Sequence, residues 1–261
     1  MKKLHFDYCM QISYSSRVDR CHYTMKCIPV DSDRQHLENW HITFTPENPW
    51  MRGEDSFGNQ TIYGSVDDPH DQFNVQIVGE VTTGLADYET DRQASGIGMF
   101  RYPYGLTKAG DRIRTYHRDL ELDPNASAFD RGFIMMQQLY HDFIYEKKVT
   151  DVNTSAEEAL TLGKGVCQDY AHILIALCHL EQIPARYVAG MMIGEGASHA
   201  WVEIYHEGGW YALDPTNNQV VDDNYIKLGI GRDASDCLIN RGLILGGGEQ
   251  LQTIWVNVIE K

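Results

Sequence analysis

The feature that most constrains this chain is a glycine-rich turn that runs directly into an apolar helix. The turn is Gly-Lys-Gly-Val at 163–166, and Cys167 follows it. Apolar side chains recur at three- and four-residue steps, which predicts a helix with one buried face; they are Val166, Tyr170, Ile173, Leu174 and Leu177. Pro184 ends this helix, because proline lacks the N–H group and disfavours helical backbone in the residue before it.

Cys167 is therefore predicted at the N-terminus of a helix. The unpaired backbone N–H groups and the helix dipole favour negative charge at that position. Because the thiolate is the nucleophilic form of a cysteine, Cys167 is the first candidate active-site residue.

Composition narrows the class of protein. The chain has 261 residues, 43% of them hydrophobic and 23% charged, which is ordinary for a globular protein of one large or two modest domains. The formal net charge of −15 would repel a phosphate backbone, so we expect no nucleic-acid partner. No long apolar run is present, and we expect neither a membrane span nor a secretory leader.

The six cysteines show no Cys-x-x-Cys pair and no regular framework. We therefore expect free thiols and a cytoplasmic location. A zinc site built from Cys167, His172, Cys178 or His199 would lack any standard ligand spacing, and we predict no metal or cofactor. Away from the helix start, we interpret Cys178 and Cys237 as packing residues, and His172 and His179 as structural.

The chain divides into two predicted domains of an α+β protein. Residues 1–100 carry short strands without helical periodicity, which favours an antiparallel sandwich-like domain. Residues 101–261 contain a surface crossover, the apolar helices and a C-terminal strand, and form the predicted catalytic core. Within this core, 127–146 has a helical apolar stripe, and Thr154 or Ser155 can cap a short helix before the cysteine turn.

A hairpin after the cysteine helix supplies two further candidates. Residues 199–205 alternate cleanly, and Glu207-Gly208 can form a two-residue turn before a returning strand. This register places Tyr205 opposite Trp210 and Asp214 on the same face as His199, diagonal to it. Diagonal neighbours lie about 7–8 Å apart at the backbone, within reach of a side-chain hydrogen bond.

Together Cys167, His199 and Asp214 have the composition of a Cys-His-Asp triad. The thiolate would attack a carbonyl carbon, the imidazole would transfer protons, and the carboxylate would orient and stabilise the imidazolium. The backbone N–H of Cys167 is a natural oxyanion donor, whereas the sequence assigns no second donor. Each residue alone also has a structural explanation, as a packed thiol, a packed strand histidine and a turn aspartate, so spacing leaves both interpretations open.

Four ordered sequence blocks resemble the bacterial transglutaminase-like superfamily. They are Gly-Val-Cys-Gln-Asp-Tyr-Ala (165–171), Ile-Pro-Ala-Arg-Tyr-Val-Ala-Gly (183–190), Ser-His-Ala-Trp-Val-Glu (198–203) and Trp-Tyr-Ala-Leu-Asp-Pro-Thr-Asn (210–217). Further blocks at 231–236 and 241–242 resemble the segment after the triad, and those at 55–59 and 68–70 resemble the N-terminal β-domain of this group. The resemblance covers nearly the whole chain.

The resemblance implies a papain-like core in which the cysteine helix packs on an antiparallel sheet that carries the histidine and the aspartate. It implies acyl transfer through a thioester at Cys167, with His199 and Asp214 in the roles given above. Animal transglutaminases use a tryptophan upstream of the cysteine, and none lies between Trp50 and Cys167 here. This departure argues against protein crosslinking and calcium activation.

Three functions follow as expectations. The first is thiol-dependent hydrolysis of an amide or peptide bond, acting on a peptide, a protein or a small amide. The second is transfer of an amine to a glutamine-derived acyl group, and the third is a binding module with a silent triad. Asp169 matches the family pattern, and we expect it to fix the start of the cysteine helix.

Overall fold

The computed structural model of the protein describes residues 1–90 and 97–261. Residues 91–96, which belong to the predicted N-terminal domain, lie outside the described residues. In chain order the elements are β1 (Lys2–Met25), β2 (Gln35–Thr45), β3 (Trp50–Glu54), β4 (Gln60–Val66), β5 (His70–Thr83), β6 (Glu89–Thr90), α1 (Asp111–Asp119), α2 (Ala128–Asp142), β7 (Ile144–Tyr145), α3 (Ala156–Leu162), β8 (Lys164–Gly165), α4 (Cys167–Leu180), β9 (Ala185–Met192), β10 (Gly194–Gly196), β11 (His199–His206), β12 (Gly209–Asp214), β13 (Gln219–Val220), β14 (Tyr225–Gly231), β15 (Asn240–Gly246) and β16 (Gln250–Glu260).

The first sheet is built around β1, which is the longest strand of the described chain at 24 residues. Its first half pairs antiparallel with β5 and β16, and its second half pairs with β4 and β15. The pairing with β5 shifts register between Ser13 and Val18, where the strand passes from one set of neighbours to the other. Alternate side chains of β1 are buried in the first core, as the period of a half-buried strand requires; they include Leu4, Phe6, Tyr8, Met10 and Ile12.

The two C-terminal strands join this first sheet, which corrects the predicted domain division. β16 pairs with β1 from Leu4–Glu260 to Tyr14–Gln250, and β15 pairs with it from Val18 to Met25. The chain therefore returns to the N-terminal sheet at the end of the predicted catalytic core, and its C-terminal strands belong to the first sheet. Strands that pair across more than 200 residues of sequence leave no local signal of that pairing. The predicted domain division therefore differs from the observed sheet.

The second sheet lies mainly within the predicted catalytic core. Its strands lie in the order β13-β12-β11-β9-β14, all antiparallel, with β6 paired to β12. Helix α4 packs on one face of this sheet, and the small or branched residues Ala189, Ala200, Val202 and Ile204 meet it there. This arrangement is a cysteine helix on an antiparallel sheet, as predicted.

The helices of the core begin where side chains satisfy their free N–H groups. Ser127 caps α2, which ends at Asp142, a turn before the predicted end. Ser155 caps α3 in a reciprocal pair with Glu158, as the sequence indicates. Helix α1 lies inside the stretch predicted as an irregular crossover.

A residue far along the chain caps α1. Glu157 accepts hydrogen bonds from the backbone N–H groups of Gly110, Arg112 and Ile113 at 3.0, 2.7 and 3.1 Å. Only Ile113 and Tyr116 of this helix are buried, so its apolar stripe is too sparse to be recognised. Tertiary capping therefore stabilises a helix that local periodicity misses.

The two sheets share a core. Met191 of β9 and Ile226 and Leu228 of β14 are fully buried within the hydrophobic cluster of the first sheet. Tyr225 and Lys227, on the opposite face of β14, are also buried. Tyr225 packs in an apolar cluster with Trp201, whereas Lys227 pairs with Glu89 and Glu203. The N-terminal domain is thus packed directly against strands β9 and β14 of the second sheet.

Candidate active site

Cys167 is the first residue of α4, where the sequence places it. Asp169 Oδ2 accepts a hydrogen bond from the Val166 N–H at 2.7 Å and another from the Thr150 hydroxyl at 2.7 Å. Asp169 therefore fixes the helix start, as expected. A Cβ atom at Gly165 would lie 2.3 Å from the same carboxylate oxygen, so the turn requires glycine at this close approach.

His199 and Asp214 are brought together by the predicted hairpin. Strands β11 and β12 pair from Val202–Leu213 to His206–Gly209 around a two-residue turn, which confirms the expected register. His199 Nε2 lies 2.7 Å from Asp214 Oδ2. Because a carboxylate only accepts hydrogen bonds, Nε2 carries the hydrogen, and Nδ1 is left for the thiol.

The Cys167 thiol lies close enough to the His199 ring to raise the pKa of the imidazole. Cys167, His199 and Asp214 therefore form one connected chain of side chains. Asp214 is fully buried, and the His199 side chain is 10% exposed, so the group opens to solvent on the side of the cysteine.

The positive charge of His199 and the negative charge of Asp214 stabilise each other. Burial by itself would lower the pKa of His199, but hydrogen bonds with Asp214 and Cys167 outweigh it and raise the pKa to about 10. Burial would raise the pKa of Asp214, but the hydrogen bond and positive charge of His199 keep it below its usual value. At neutral pH the site therefore holds an imidazolium next to a carboxylate.

Asp214 is held by donors that the sequence analysis did not identify. Its Oδ1 accepts from the backbone N–H groups of Thr216 and Asn217 at 2.9 and 3.2 Å, and its Oδ2 accepts from Asn217 Nδ2 at 2.7 Å. The Tyr225 hydroxyl also donates to Oδ2 at 2.7 Å, and it accepts from Gln219 Nε2 at 2.6 Å. The Asp-Pro-Thr-Asn turn could have indicated Asn217, whereas no local signal indicates Tyr225.

Aromatic rings fix the orientation of the imidazole. The His199 ring lies 6.3 Å from the Trp201 ring and 6.0 Å from the Tyr225 ring, measured between centroids. Trp201 and Tyr225 pack edge to face at 5.4 Å. His199 is therefore confined by packing on two sides, in addition to its hydrogen bonds.

Tyr145 is a further neighbour of Cys167 that the sequence analysis missed. Strand β7 pairs in parallel with β8, and Tyr145 is opposite Gly165, two residues before the cysteine. Burial raises the pKa of Tyr145, and the proximity of Cys167 raises it further. The residue is 48% exposed, so its ring lies at the open side of the site.

The remaining candidate residues lie apart from the site and have structural roles. His172 accepts from the Ala234 N–H at 3.1 Å, and burial lowers its pKa to about 4. Cys178 is fully buried, and burial raises the pKa of its thiol. Across residues 1–90 and 97–261, no group of three or more His, Cys, Asp or Glu side chains is arranged to hold a metal ion.

Two family models match this chain. Residues 118–215 match the transglutaminase-like superfamily, and residues 4–82 match the bacterial transglutaminase-like N-terminal region. An uncharacterised protein of Mycobacterium tuberculosis is 31% identical over 255 residues, which cover 85% of this chain and 81% of that protein.

The chain belongs to the transglutaminase-like superfamily.

This transglutaminase-like protein has a further uncharacterised relative in Mycobacterium leprae, 38% identical over 114 residues, or 40% of each chain. The crystal structure described as "a Putative Cysteine Protease from Cytophaga hutchinsonii" superposes with a TM-score of 0.84 at 20% identity. It covers 99% of this chain and 90% of that one. This similarity confirms the predicted α+β fold, with its β-rich N-terminal domain and its transglutaminase-like core. In the described part of the chain, no helix has both the length and the apolar character needed to cross a membrane.

Proposed function

We propose that this transglutaminase-like protein hydrolyses amide or peptide bonds through a thioester at Cys167. The observation that carries the proposal is the 2.7 Å contact between His199 Nε2 and Asp214 Oδ2, with the Cys167 thiol close enough to the same ring to raise its pKa. Acyl transfer by a thiol requires a nucleophile, a group that carries protons and a carboxylate that orients that group.

In the acylation step, the Cys167 sulfur attacks the carbonyl carbon of the bound amide. His199 holds the thiol proton and delivers it to the nitrogen of the leaving amine as the carbon–nitrogen bond breaks. In the second step, His199 takes a proton from water and the resulting hydroxide attacks the thioester carbonyl carbon. The carbon–sulfur bond then breaks to release a carboxylic acid, and His199 returns the proton to the Cys167 thiolate. Asp214 stabilises the imidazolium in both steps.

Negative charge on the carbonyl oxygen needs donors close to the cysteine. The backbone N–H of Cys167 belongs to the first turn of α4, where N–H groups have no partner within the helix. We assign the Tyr145 hydroxyl as the second donor, since Tyr145 lies at the open side of the site opposite Gly165. A pair of such donors supplies oxyanion stabilisation.

The proposed substrate is a peptide, a protein or a small amide. We propose a cytoplasmic site of action, because a thiol nucleophile is maintained in a reducing compartment. Neither a nucleic-acid nor a membrane partner is part of the proposal, since the net charge of −15 disfavours anionic surfaces.

The test is site-resolved alkylation by iodoacetamide over a range of pH, measured by mass spectrometry in wild type, Cys167→Ala and His199→Ala. Cys9 is an internal control, because it is partly exposed like Cys167, while burial and the charge of Asp7 raise the pKa of its thiol. We expect Cys167 to react much faster than Cys9 below pH 7, and to lose this advantage in His199→Ala.

Turnover is then measured on a panel of amides and peptides. Loss of hydrolysis in Cys167→Ala supports the proposal, and full activity in that variant excludes it. Preferential incorporation of a labelled amine into a glutamine peptide would assign amine transfer instead. Equal reactivity of Cys167 and Cys9, without turnover, would identify a binding module.

A further inference from the structure

Strand β14 forms an edge of the second sheet, and the N-terminal domain covers that edge. One side of β14 pairs with β9, from Tyr225–Met192 to Gly231–Tyr187. The other side has no strand of its own sheet beside it in the described chain. Backbone N–H and C=O groups on such an edge must find other partners when they are buried.

Gln35 supplies one set of partners. The backbone N–H of Lys227 donates to Gln35 Oε1 at 2.8 Å, and Gln35 Nε2 donates to the Lys227 carbonyl at 2.9 Å. Gln35 Nε2 also donates to the Val30 carbonyl at 2.7 Å. Gln35 is 4% exposed, so its amide is almost entirely enclosed between the two sheets.

Asn59 supplies the second set, three residues further along β14. The backbone N–H of Ile230 donates to Asn59 Oδ1 at 2.7 Å, and Asn59 Nδ2 donates to the Ile230 carbonyl at 2.7 Å. Asp55 holds Asn59 in place by accepting from its backbone N–H and its side-chain amide, each at 3.0 Å. Asn59 is 1% exposed.

Each amide therefore bonds to both backbone groups of one β14 residue, as a neighbouring strand would. A side-chain amide has an N–H donor and a C=O acceptor, like a peptide group. The Gln35 and Asn59 amides can therefore take the place of the peptide groups of a neighbouring strand. The register of β14 with β9 shifts between Lys227 and Gly229. Gln35 binds β14 just before this irregularity, and Asn59 binds it just after.

The first residue of β14 is Tyr225, whose hydroxyl donates to Asp214. Lys227 is two residues from Tyr225 and shares its face of the strand. We propose that Gln35 and Asn59 are positioning residues, through which the N-terminal domain holds β14 so that Tyr225 stays bonded to Asp214. This inference rests on the proposed function, and it assigns the N-terminal domain a part in assembling the active site.

The test measures Cys167 alkylation at neutral pH in Gln35→Ala and Asn59→Ala. Asn48→Ala is the matched control: Asn48 is a partly buried amide of the same domain, and its hydrogen bonds are with Tyr23 and Pro46 instead of with β14. We call the Gln35 and Asn59 amides, which bind β14, the clamp. Loss of the clamp weakens the hydrogen bond between Asp214 and His199 and therefore the Cys167 thiolate that this pair supports. We expect alkylation of Cys167 to fall at least about fivefold in both clamp variants and to stay unchanged in Asn48→Ala.

A double-mutant cycle tests the route through Tyr225. If Gln35 acts through Tyr225, the defects of Gln35→Ala and Tyr225→Phe are not additive, and the double variant is little worse than Tyr225→Phe alone. Additive defects would overturn the proposed route. Gln35→Met, of similar length but without a hydrogen-bond donor and with only a weak acceptor, replaces Gln35→Ala if circular dichroism shows that the alanine variant is unfolded.

Alkylation also separates this inference from the proposed hydrolysis. A wild-type protein without turnover but with fast, His199-dependent alkylation would remove the hydrolase proposal and leave the positioning test valid. Wild-type alkylation rates in folded Gln35→Ala and Asn59→Ala would overturn the inference, whatever reaction the site performs. Where a substrate is found, we expect the clamp variants to lower kcat and to leave KM unchanged, because neither amide lies near bound substrate.

Discussion

Tyr225 donates its hydroxyl to Asp214 Oδ2 at 2.7 Å, the same carboxylate oxygen that lies 2.7 Å from His199 Nε2. The phenol thus stabilises the ionised carboxylate from a strand that carries neither member of the pair. Gln219 completes the arrangement by donating to the phenol oxygen at 2.6 Å. The Asp214 carboxylate is therefore oriented by Tyr225 of β14 as well as by the backbone N–H groups of the turn that follows Asp214.

Removal of that hydroxyl by Tyr225→Phe should weaken the pair while the packing against Trp201 remains. A hydrogen bond to a charged group contributes about 1.5–3 kcal/mol, and we expect the free energy of unfolding to fall by that amount. The pKa of His199 should fall as well, because Asp214 is no longer held in the orientation that pairs it with the imidazole. Chemical denaturation and an NMR titration of the imidazole measure the two effects. Tyr102→Phe is the control, since Tyr102 is 64% exposed; an unchanged His199 titration in Tyr225→Phe would contradict the prediction.

The pH dependence of stability should report His199 directly. Its pKa is raised to about 10 in the folded protein, whereas an unfolded histidine titrates near pH 6.5. The stabilisation is therefore complete below about pH 6.5 and is lost as the pH rises toward 10. We expect the difference in unfolding free energy between wild type and His199→Gln to shrink steadily across this window. A difference that stays constant from pH 6 to 10 would show that the imidazole does not gain a proton on folding.

The start of α4 should depend on the oxygen atoms of Asp169 more than on its charge. Burial raises the pKa of this carboxyl, so a neutral group of the same shape is tolerated there. We expect Asp169→Ala to cost about 1–3 kcal/mol, because it leaves the Val166 N–H without its acceptor. Asp169→Asn keeps an acceptor in place and should cost less. Denaturant unfolding compares the two variants, and a larger loss in Asp169→Asn would reverse this ranking.

A cluster of buried ion pairs connects strands β9, β11 and β14. Glu203 is fully buried and pairs with Arg186 at 2.6 Å and with Lys227, while Glu89 contacts the same two cations at 3.0 and 2.6 Å. Removal of one member of a buried pair leaves an uncompensated charge, so Glu203→Ala should destabilise the protein by about 3–5 kcal/mol. Equilibrium unfolding checks this against Glu47→Ala, an exposed site. A loss no larger than that of the control would show that Glu89 alone compensates Arg186 and Lys227.

Several features of the fold and the site could be predicted because their causes are local. The helix that begins at Cys167 follows from a glycine turn and from apolar spacing along one helix. The pairing of His199 with Asp214 follows from a two-residue turn, which fixes the register of adjacent strands. The cap of α3 at Ser155 likewise involves a partner only three residues away.

Other features depend on contacts that no local pattern contains. Helix α1 is capped by Glu157, about forty residues later, and the C-terminal strands pair with the first strand of the chain. The separate strands expected near the N-terminus are one continuous strand, since its two halves find different neighbours. The cap of α1 and the strand pairings of β1 depend on contacts between distant parts of the chain, which form only in the tertiary structure.

For this protein, the sequence by itself predicted the candidate residues Cys167, His199 and Asp214, since turn length and periodicity act over a few residues. Only the tertiary structure decided what holds them: Tyr225 on Asp214, and Gln35 and Asn59 on β14. The Gln35 and Asn59 side chains lie 192 and 171 residues from the backbone groups that they bind. A hydrogen bond at such a separation forms because two packed sheets bring buried donors and acceptors together, and burial makes it costly to leave them unpaired.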